Sequence, residues 1–325
     1  MEISVIGCGN AFSERNFNQA FVVEEEGRKL LIDCGYQVPT ALRASGIDFK
    51  EINDIYISHL HADHIGGLEF MAFSRYNWAK RPRKADENSP RIIGNRQLLE
   101  DLWKKSLRGG LESMEGFVAD LGTFFHPLPV EPNHSFQWQG WNAELIQQIH
   151  VMSGSIIMPS FGLIFTKPGR KAVYFVTDSQ HCSPRQIEDF YRKSDMIFQD
   201  SEFVGVNTAL PEGEPYFQKD GEIKPKSRCD ANEIMELMAT GWEEKEWGRY
   251  KFGSGVHANY AQLAGYPSAN SIKLGDEIKS RMWLSHYQDY IPSGRDMYGN
   301  KIDWEAEVKK DGFAGLAKVG MTFSV

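Results

Sequence analysis

Three things are scarce in these 325 residues. No apolar run approaches the ~20 residues that a bilayer-spanning helix needs, so no membrane span is expected. Only four cysteines occur, Cys8, Cys34, Cys182 and Cys229, far apart and in no CxxC pair. That leaves reduced thiols in a cytoplasmic setting as the expectation. Basic residues are outnumbered, 36 Lys and Arg against 44 Asp and Glu, and the net charge of −8 withholds the cationic field that binds long polyanions. The opening Met-Glu-Ile-Ser-Val also lacks the basic and apolar regions of a secretory signal. What is present is an ordinary globular balance, 41% hydrophobic and 25% charged, which excludes a disordered chain and a small disulfide scaffold.

Short apolar runs bounded by glycine and charge predict buried strands at 3–6, 20–23, 30–33 and 55–58, with later ones at 145–149, 172–176 and 282–285. Helices are predicted at 40–44, 68–74, 97–106 and 184–193, the last opened by a proline. Two stretches lack a period. Residues 75–90 contain the basic run 81–84, read as a solvated loop, and residues 204–229 mix Gly, Pro and Lys. Both are read as insertions within one domain spanning 1–325, and neither as a flexible linker. Trp242 and Trp247, flanked by charge, are read as packing anchors.

The chemistry concentrates at His59-Leu60-His61-Ala62-Asp63-His64, where three of the nine histidines fall within six residues. In an extended segment His59 and His61 project to one side. Asp63 and His64 lie past them, where the chain turns into a helix, so one loop can serve two adjacent ions. Neutral imidazole and carboxylate suit Zn²⁺, with Mn²⁺ or Fe where oxygen ligands predominate. Two ions need further donors, and the ends of predicted strands supply His150, Asp178 and His286, because loops there converge on one sheet edge. His150 would complete the ion of His59 and His61, His286 that of Asp63 and His64, and Asp178 would bridge. Each ion then keeps an open position, as in a catalytic site. His126, His134 and His181 have no such pattern, although His134 competes with His150 for the place between the block and Asp178.

On these residues the chain resembles the metallo-β-lactamase-fold hydrolases, and within them the ribonuclease Z branch. Gly7-Cys8-Gly9 with Arg15-Asn16 is similar to that branch's opening loop, and Leu31-Ile32-Asp33-Cys34-Gly35 to its second strand. Ile65-Gly66-Gly67-Leu68 resembles the segment after its metal block, Pro159-Ser160-Phe161-Gly162 its third-ligand region, and Thr177-Asp178-Ser179 its bridging aspartate. The resemblance implies an α/β fold, a four-layer αββα sandwich with two divalent metal ions at one edge, and a homodimer. Asp rather than Cys at 178 implies phosphodiesters rather than lactams. Asp200 stands where the branch has a His-Glu pair, and His257 where it has a catalytic histidine. The resemblance thus makes His257 the acid that protonates the leaving oxygen, oriented by Asp200, with Asp63 also among the catalytic residues.

The departures narrow the substrate. Only 28 positions separate His150 from Asp178, leaving no room for the long basic arm of transfer-RNA-processing members. The Pro and Lys that precede Arg15-Asn16 in that branch are missing. With the acidic balance, this favours a small phosphodiester over RNA. The armless arrangement resembles cyclic-nucleotide phosphodiesterases, including those with which phages degrade the cyclic pyrimidine nucleotides of Pycsar defence. The expected reaction opens a 3′,5′-cyclic nucleotide to a nucleoside monophosphate. The base would stack on an aromatic of the 204–229 stretch or near Tyr260 and Tyr287. A transfer-RNA 3′-end endonuclease and a non-catalytic, nucleotide-sequestering module are the alternatives.

Overall fold

The computed structural model describes residues 1–79, 83–153, 156–179, 186–203, 218–219, 222–223, 256–265, 274–295, 299 and 301–325. These fall into two compact units: Met1–Gln147 with Leu163–Lys171 and Ala317–Val325, and Gln148–Gly162 with Ala172–Leu316. The long strands Trp141–Ser153 and Ile156–Thr166 each have residues in both units.

The first unit is built on a mixed sheet. Its strands lie in the order Thr322–Ser324, Glu2–Gly7, Ala20–Glu25, Arg28–Ile32, Ile52–Tyr56, Arg91–Asn95 and His126–Val130. Residues Glu26 and Gly27 both take positive φ, 51° and 76°, giving the two-residue hairpin whose twist matches the flanking strands. From Arg28–Ile32 onward the neighbours are parallel. Parallel strands are covered on both faces, which is why Leu30, Leu31, Ile32, Ile55 and Tyr56 form unbroken apolar runs and are all buried. The outermost strand carries Pro127 and Pro129, which cannot donate to a further strand and so blunt that edge. A buried carboxylate, Asp54, ties the middle of the sheet together. It accepts from Arg28 Nε at 2.6 Å and Nη2 at 3.0 Å, from Trp138 Nε1 at 2.9 Å, and from Arg91 Nε.

The second unit carries a parallel ladder of Val173–Thr177, Met196–Asp200, Met282–Ser285 and Gly315–Leu316. All five residues of Val173–Thr177 are buried. Phe175 and Phe198 stack across neighbouring strands with centroids 5.1 Å apart. Phe203, Tyr260 and Trp304 form a second aromatic cluster. The helix Trp304–Lys310 is capped by Asp303, whose carboxylate accepts from Ala306 N at 3.1 Å.

Several boundaries differ from the sequence reading. The helix Leu68–Trp78 runs a turn past 74 because Met71, Ala72, Arg75 and Tyr76 continue one buried face. The helix beginning Arg96–Asp101 passes into a π-helical turn, Leu102–Leu107, and the predicted 184–193 helix is described as the π-helical Ile187–Tyr191. Residues 81–82, His181, Trp242, Trp247 and most of 204–229 lie outside the described residues; Gln218–Lys219 and Glu222–Ile223 form a short antiparallel pair. No helix among the described residues is long and apolar enough to cross a membrane.

Candidate metal centre

In the first unit the parallel strands Arg28–Ile32 and Ile52–Tyr56 end side by side, which sets Asp33 against Ser58. The Asp33 carboxylate accepts from Ser58 N at 2.8 Å, from Ser58 Oγ at 2.7 Å and from His64 Nδ1 at 2.7 Å. Ser58 Oγ has spent its proton on Asp33, so at 3.0 Å it accepts from His59 Nδ1. This network assigns both His59 and His64 the tautomer with a bare Nε2. Carboxylate and hydroxyl partners of this kind fix the ring and raise the basicity of ligating histidines. His59 Nε2 and His61 Nδ1 stand 3.0 Å apart, near the ~3.3 Å between two nitrogens bound to one tetrahedral zinc. Asp63, on the short helix Ala62–Ile65, brings Oδ2 to 3.2 Å from His64 Nε2. His59, Asp63 and His64 are buried, and His61 is half-buried.

In the second unit the parallel strands deliver donors at their carboxyl ends. Asp178 follows Thr177, Asp200 ends its strand, and His286 follows Ser285. Asp178 Oδ1 lies 3.4 Å from His286 Nε2, and its Oδ2 lies 3.6 Å from His150 Nε2 and 3.8 Å from His257 Nδ1. His150 donates from Nδ1 to the Val256 carbonyl at 2.6 Å, again leaving Nε2 bare toward the carboxylate. Ser160 Oγ holds the Asp178 carbonyl from behind. Donor atoms of Asp178, Asp200, His257 and His286 all lie within 4.8 Å of one another.

Asp200 serves two rings. Its Oδ2 accepts from His257 Nδ1 at 2.8 Å and from Ser179 N at 3.0 Å, and its Oδ1 lies 3.4 Å from His286 Nδ1. Burial favours the neutral acid, but the two imidazoles outweigh it and hold the Asp200 carboxyl below its ordinary range. Burial likewise disfavours the His257 imidazolium, and Asp200 with Asp178 overcomes it, raising the His257 pKa. His257 keeps 16% of its side chain exposed, whereas Asp178, Asp200 and His286 are sealed.

Backbone strain marks the same places. Asp33, Thr177 and His286 have φ of 62°, 58° and 61°. A β-branched residue such as Thr177 is an outlier there, and such strain persists only where the surroundings over-determine it. Two sets of imidazoles, with His59, His64, His150 and His257 each held through Nδ1 by a hydroxyl, carboxylate or carbonyl, beside buried carboxylates, have the donor chemistry of a divalent-metal site.

His150 lies inside the strand Trp141–Ser153 rather than past its end, because that strand is longer than its apolar run. His134, its competitor, sits on an exposed turn with Nδ1 3.1 Å from the Pro132 carbonyl, and His126 is exposed with Nε2 2.8 Å from the Asp86 carbonyl. Tyr260 and Tyr287 are fully buried and cannot stack a base. Asp33 and Ser58 were visible in the sequence as strand-end polar residues, but nothing there signalled that they orient the histidines. Gln199 is buried and structural, accepting from Tyr191 Oη at 2.9 Å.

Residues 1–212 match the family described as anti-Pycsar protein Apyc1. An Apyc1 protein of Paenibacillus sp. (strain J14) is 35% identical over 301 residues, 92% of this chain and 94% of that protein. One from Bacillus phage 010DV004 is 31% identical over 235 residues, 69% of this chain and 86% of the relative. Among solved structures, the metallo-β-lactamase fold protein YhfI of Bacillus subtilis aligns with a TM-score of 0.60 at 15% identity, covering 99% of this chain and 98% of YhfI. The fold is therefore that of the metallo-β-lactamases, the α/β class expected from the sequence, and the chain belongs to the anti-Pycsar protein Apyc1 family.

Proposed function

We propose that this chain is a metal-dependent phosphodiesterase that opens 3′,5′-cyclic nucleotides, cyclic pyrimidine nucleotides among them, to nucleoside monophosphates. The observation that carries it is the pre-oriented donor set. His59, His61 and His150 would hold one divalent ion, Asp63, His64 and His286 the second, with Asp178 offering an oxygen to each. Imidazole-rich donors favour zinc, with manganese the alternative. When bound, such a pair acidifies water toward neutrality and offsets the charge that builds on a phosphate under in-line attack.

The protein's own part is orientation and proton supply. Asp33 and Ser58 keep the Nε2 atoms of His64 and His59 unprotonated and aimed. Asp200 fixes His257 with its Nδ1 proton engaged, and although burial opposes the charged ring, Asp200 and Asp178 raise its pKa above the ordinary imidazole value and so favour it. His257 thus donates the proton that the departing ribose oxygen needs. The net charge of −8 favours a small substrate over transfer RNA. Hydrolysis of a cyclic-nucleotide panel and of precursor transfer RNA, with and without chelator, tests the reading. Chelator-sensitive cleavage of cyclic nucleotides supports it; cleavage of RNA alone, or nucleotide binding without turnover, refutes it.

A further inference from the structure

Phe12 stands exposed on the opening loop. Among the described residues it is the most exposed large apolar side chain, at 87%, although a Phe gains by burial. The loop that carries it is tightly built. Phe12 N donates to Asn10 Oδ1 at 3.0 Å, Cys8 N to the Asn16 carbonyl at 3.1 Å, and Gly9 N to the Phe17 carbonyl at 2.8 Å. Gln37 Nε2 donates to the Ser13 carbonyl at 2.7 Å. A Cβ on Gly9 would fall 2.2 Å from Ser13 Oγ, so the loop closes only around a glycine. Ser13 and Asn18 are buried while the Phe12 ring is held out in water. A rigid mount with an apolar tip is how a protein pre-pays the ordering cost of a contact.

The mount adjoins the histidine block. Tyr36, 47% exposed, donates from Oη to the Ala11 carbonyl at 2.6 Å, next to Phe12. Its neighbour Gly35 packs so closely on the helix Ala62–Ile65 that a Cβ there would lie 1.9 Å from the Asp63 carbonyl. A Cβ on Gly66 would meet Tyr36 Cβ at 3.0 Å. Two exposed aromatics thus stand beside the loop that carries His59, His61, Asp63 and His64, while Tyr260 and Tyr287 are buried.

We infer that Phe12, with Tyr36 hydrogen-bonded to the adjoining Ala11 carbonyl, is the stacking platform for the nucleobase of the bound nucleotide. The inference rests on the phosphodiesterase reading for the ligand class, but its test is separable. Every base has a π-face, and stacking on an aromatic tolerates any sequence.

Calorimetric titration of uridine 5′-monophosphate and of ribose 5-phosphate into wild type, F12A and F12W tests it. Phe12→Ala is expected to weaken the nucleotide about 5- to 150-fold, the worth of one stacked base, and Phe12→Trp to restore it. Ribose 5-phosphate, lacking a base, should bind all three alike. In turnover, F12A should raise KM and leave kcat within about twofold. Unchanged nucleotide affinity in F12A, equal loss for ribose 5-phosphate, or no nucleotide binding by wild type overturns the platform. Cyclic-nucleotide turnover by wild type decides the phosphodiesterase reading on its own: cleavage insensitive to Phe12 removes only the platform, and Phe12-dependent binding without cleavage removes only the activity.

Discussion

Replacing Asp33 by Asn isolates the orienting role of a single oxygen. Asn tolerates the positive φ of 62° at this position, so the backbone is left in place, as it would not be with Ala. The amide oxygen can still accept from Ser58 N, where the carboxylate accepts at 2.8 Å. Its NH₂ group, however, now meets two donors, Ser58 Oγ and His64 Nδ1, each formerly 2.7 Å from Oδ2. His64 escapes by moving its proton to Nε2, the nitrogen needed for a metal. Ser58 turns its proton away and loosens its hold on His59. Loss of such a partner lowers metal affinity about 10- to 100-fold, or ~1.4–2.7 kcal/mol at 1.36 kcal/mol per decade. Competition dialysis against a graded chelator, with metal read by mass spectrometry, measures this directly. Asp33→Asn with wild-type affinity and an unchanged melting temperature would refute the orienting network.

Other outcomes follow from the same geometry. Asp54→Ala strands two guanidinium groups and the Trp138 indole, and is expected to cost about 3 kcal/mol in urea unfolding, the low end for a broken buried pair because the arginines are partly solvated. Burial opposes ionisation of Asp54, but Arg28, Arg91 and Trp138 outweigh it and depress its pKa. Its stabilisation is therefore full above the unfolded value of ~3.9 and is lost as pH falls through the lower folded value, so the wild-type advantage over D54A should shrink below pH 4. His257→Ala should lower kcat about 10²- to 10⁴-fold with bound metal unchanged. Because Asp200 raises the His257 pKa, wild-type kcat should fall as pH rises through that raised value, and Asp200→Asn should move the fall to lower pH. Gly35→Ala forces a Cβ to within 1.9 Å of the Asp63 carbonyl, which should cost about 1–3 kcal/mol and lower metal retention on dialysis.

The histidine block was legible because three imidazoles in six residues have few structural uses, and Asp178 and His286 because each follows an apolar run that parallel strands bury whole. His150 sits mid-strand, where polar residues flanking the apolar run concealed how far the strand extends. Asp33 and Ser58 meet only because two strands 20 residues apart pair in parallel, a register that single-strand patterns do not encode. The π-helical turn Leu102–Leu107 has the composition of an ordinary helix, so its extra residue per turn left no trace in the periodicity. The Phe12 ring was unreadable for a different reason: exposure is a property of the closed loop and not of its residues.

In the proposed mechanism, residues from 59 to 286 gather round two cations. Anomalous diffraction from crystals grown with zinc tests it most directly. Two peaks per chain are expected, about 3.5–4 Å apart. His59, His61 and His150 should surround one, Asp63, His64 and His286 the other, with Asp178 touching both. A single peak, or metal bound away from Asp178, would contradict the account.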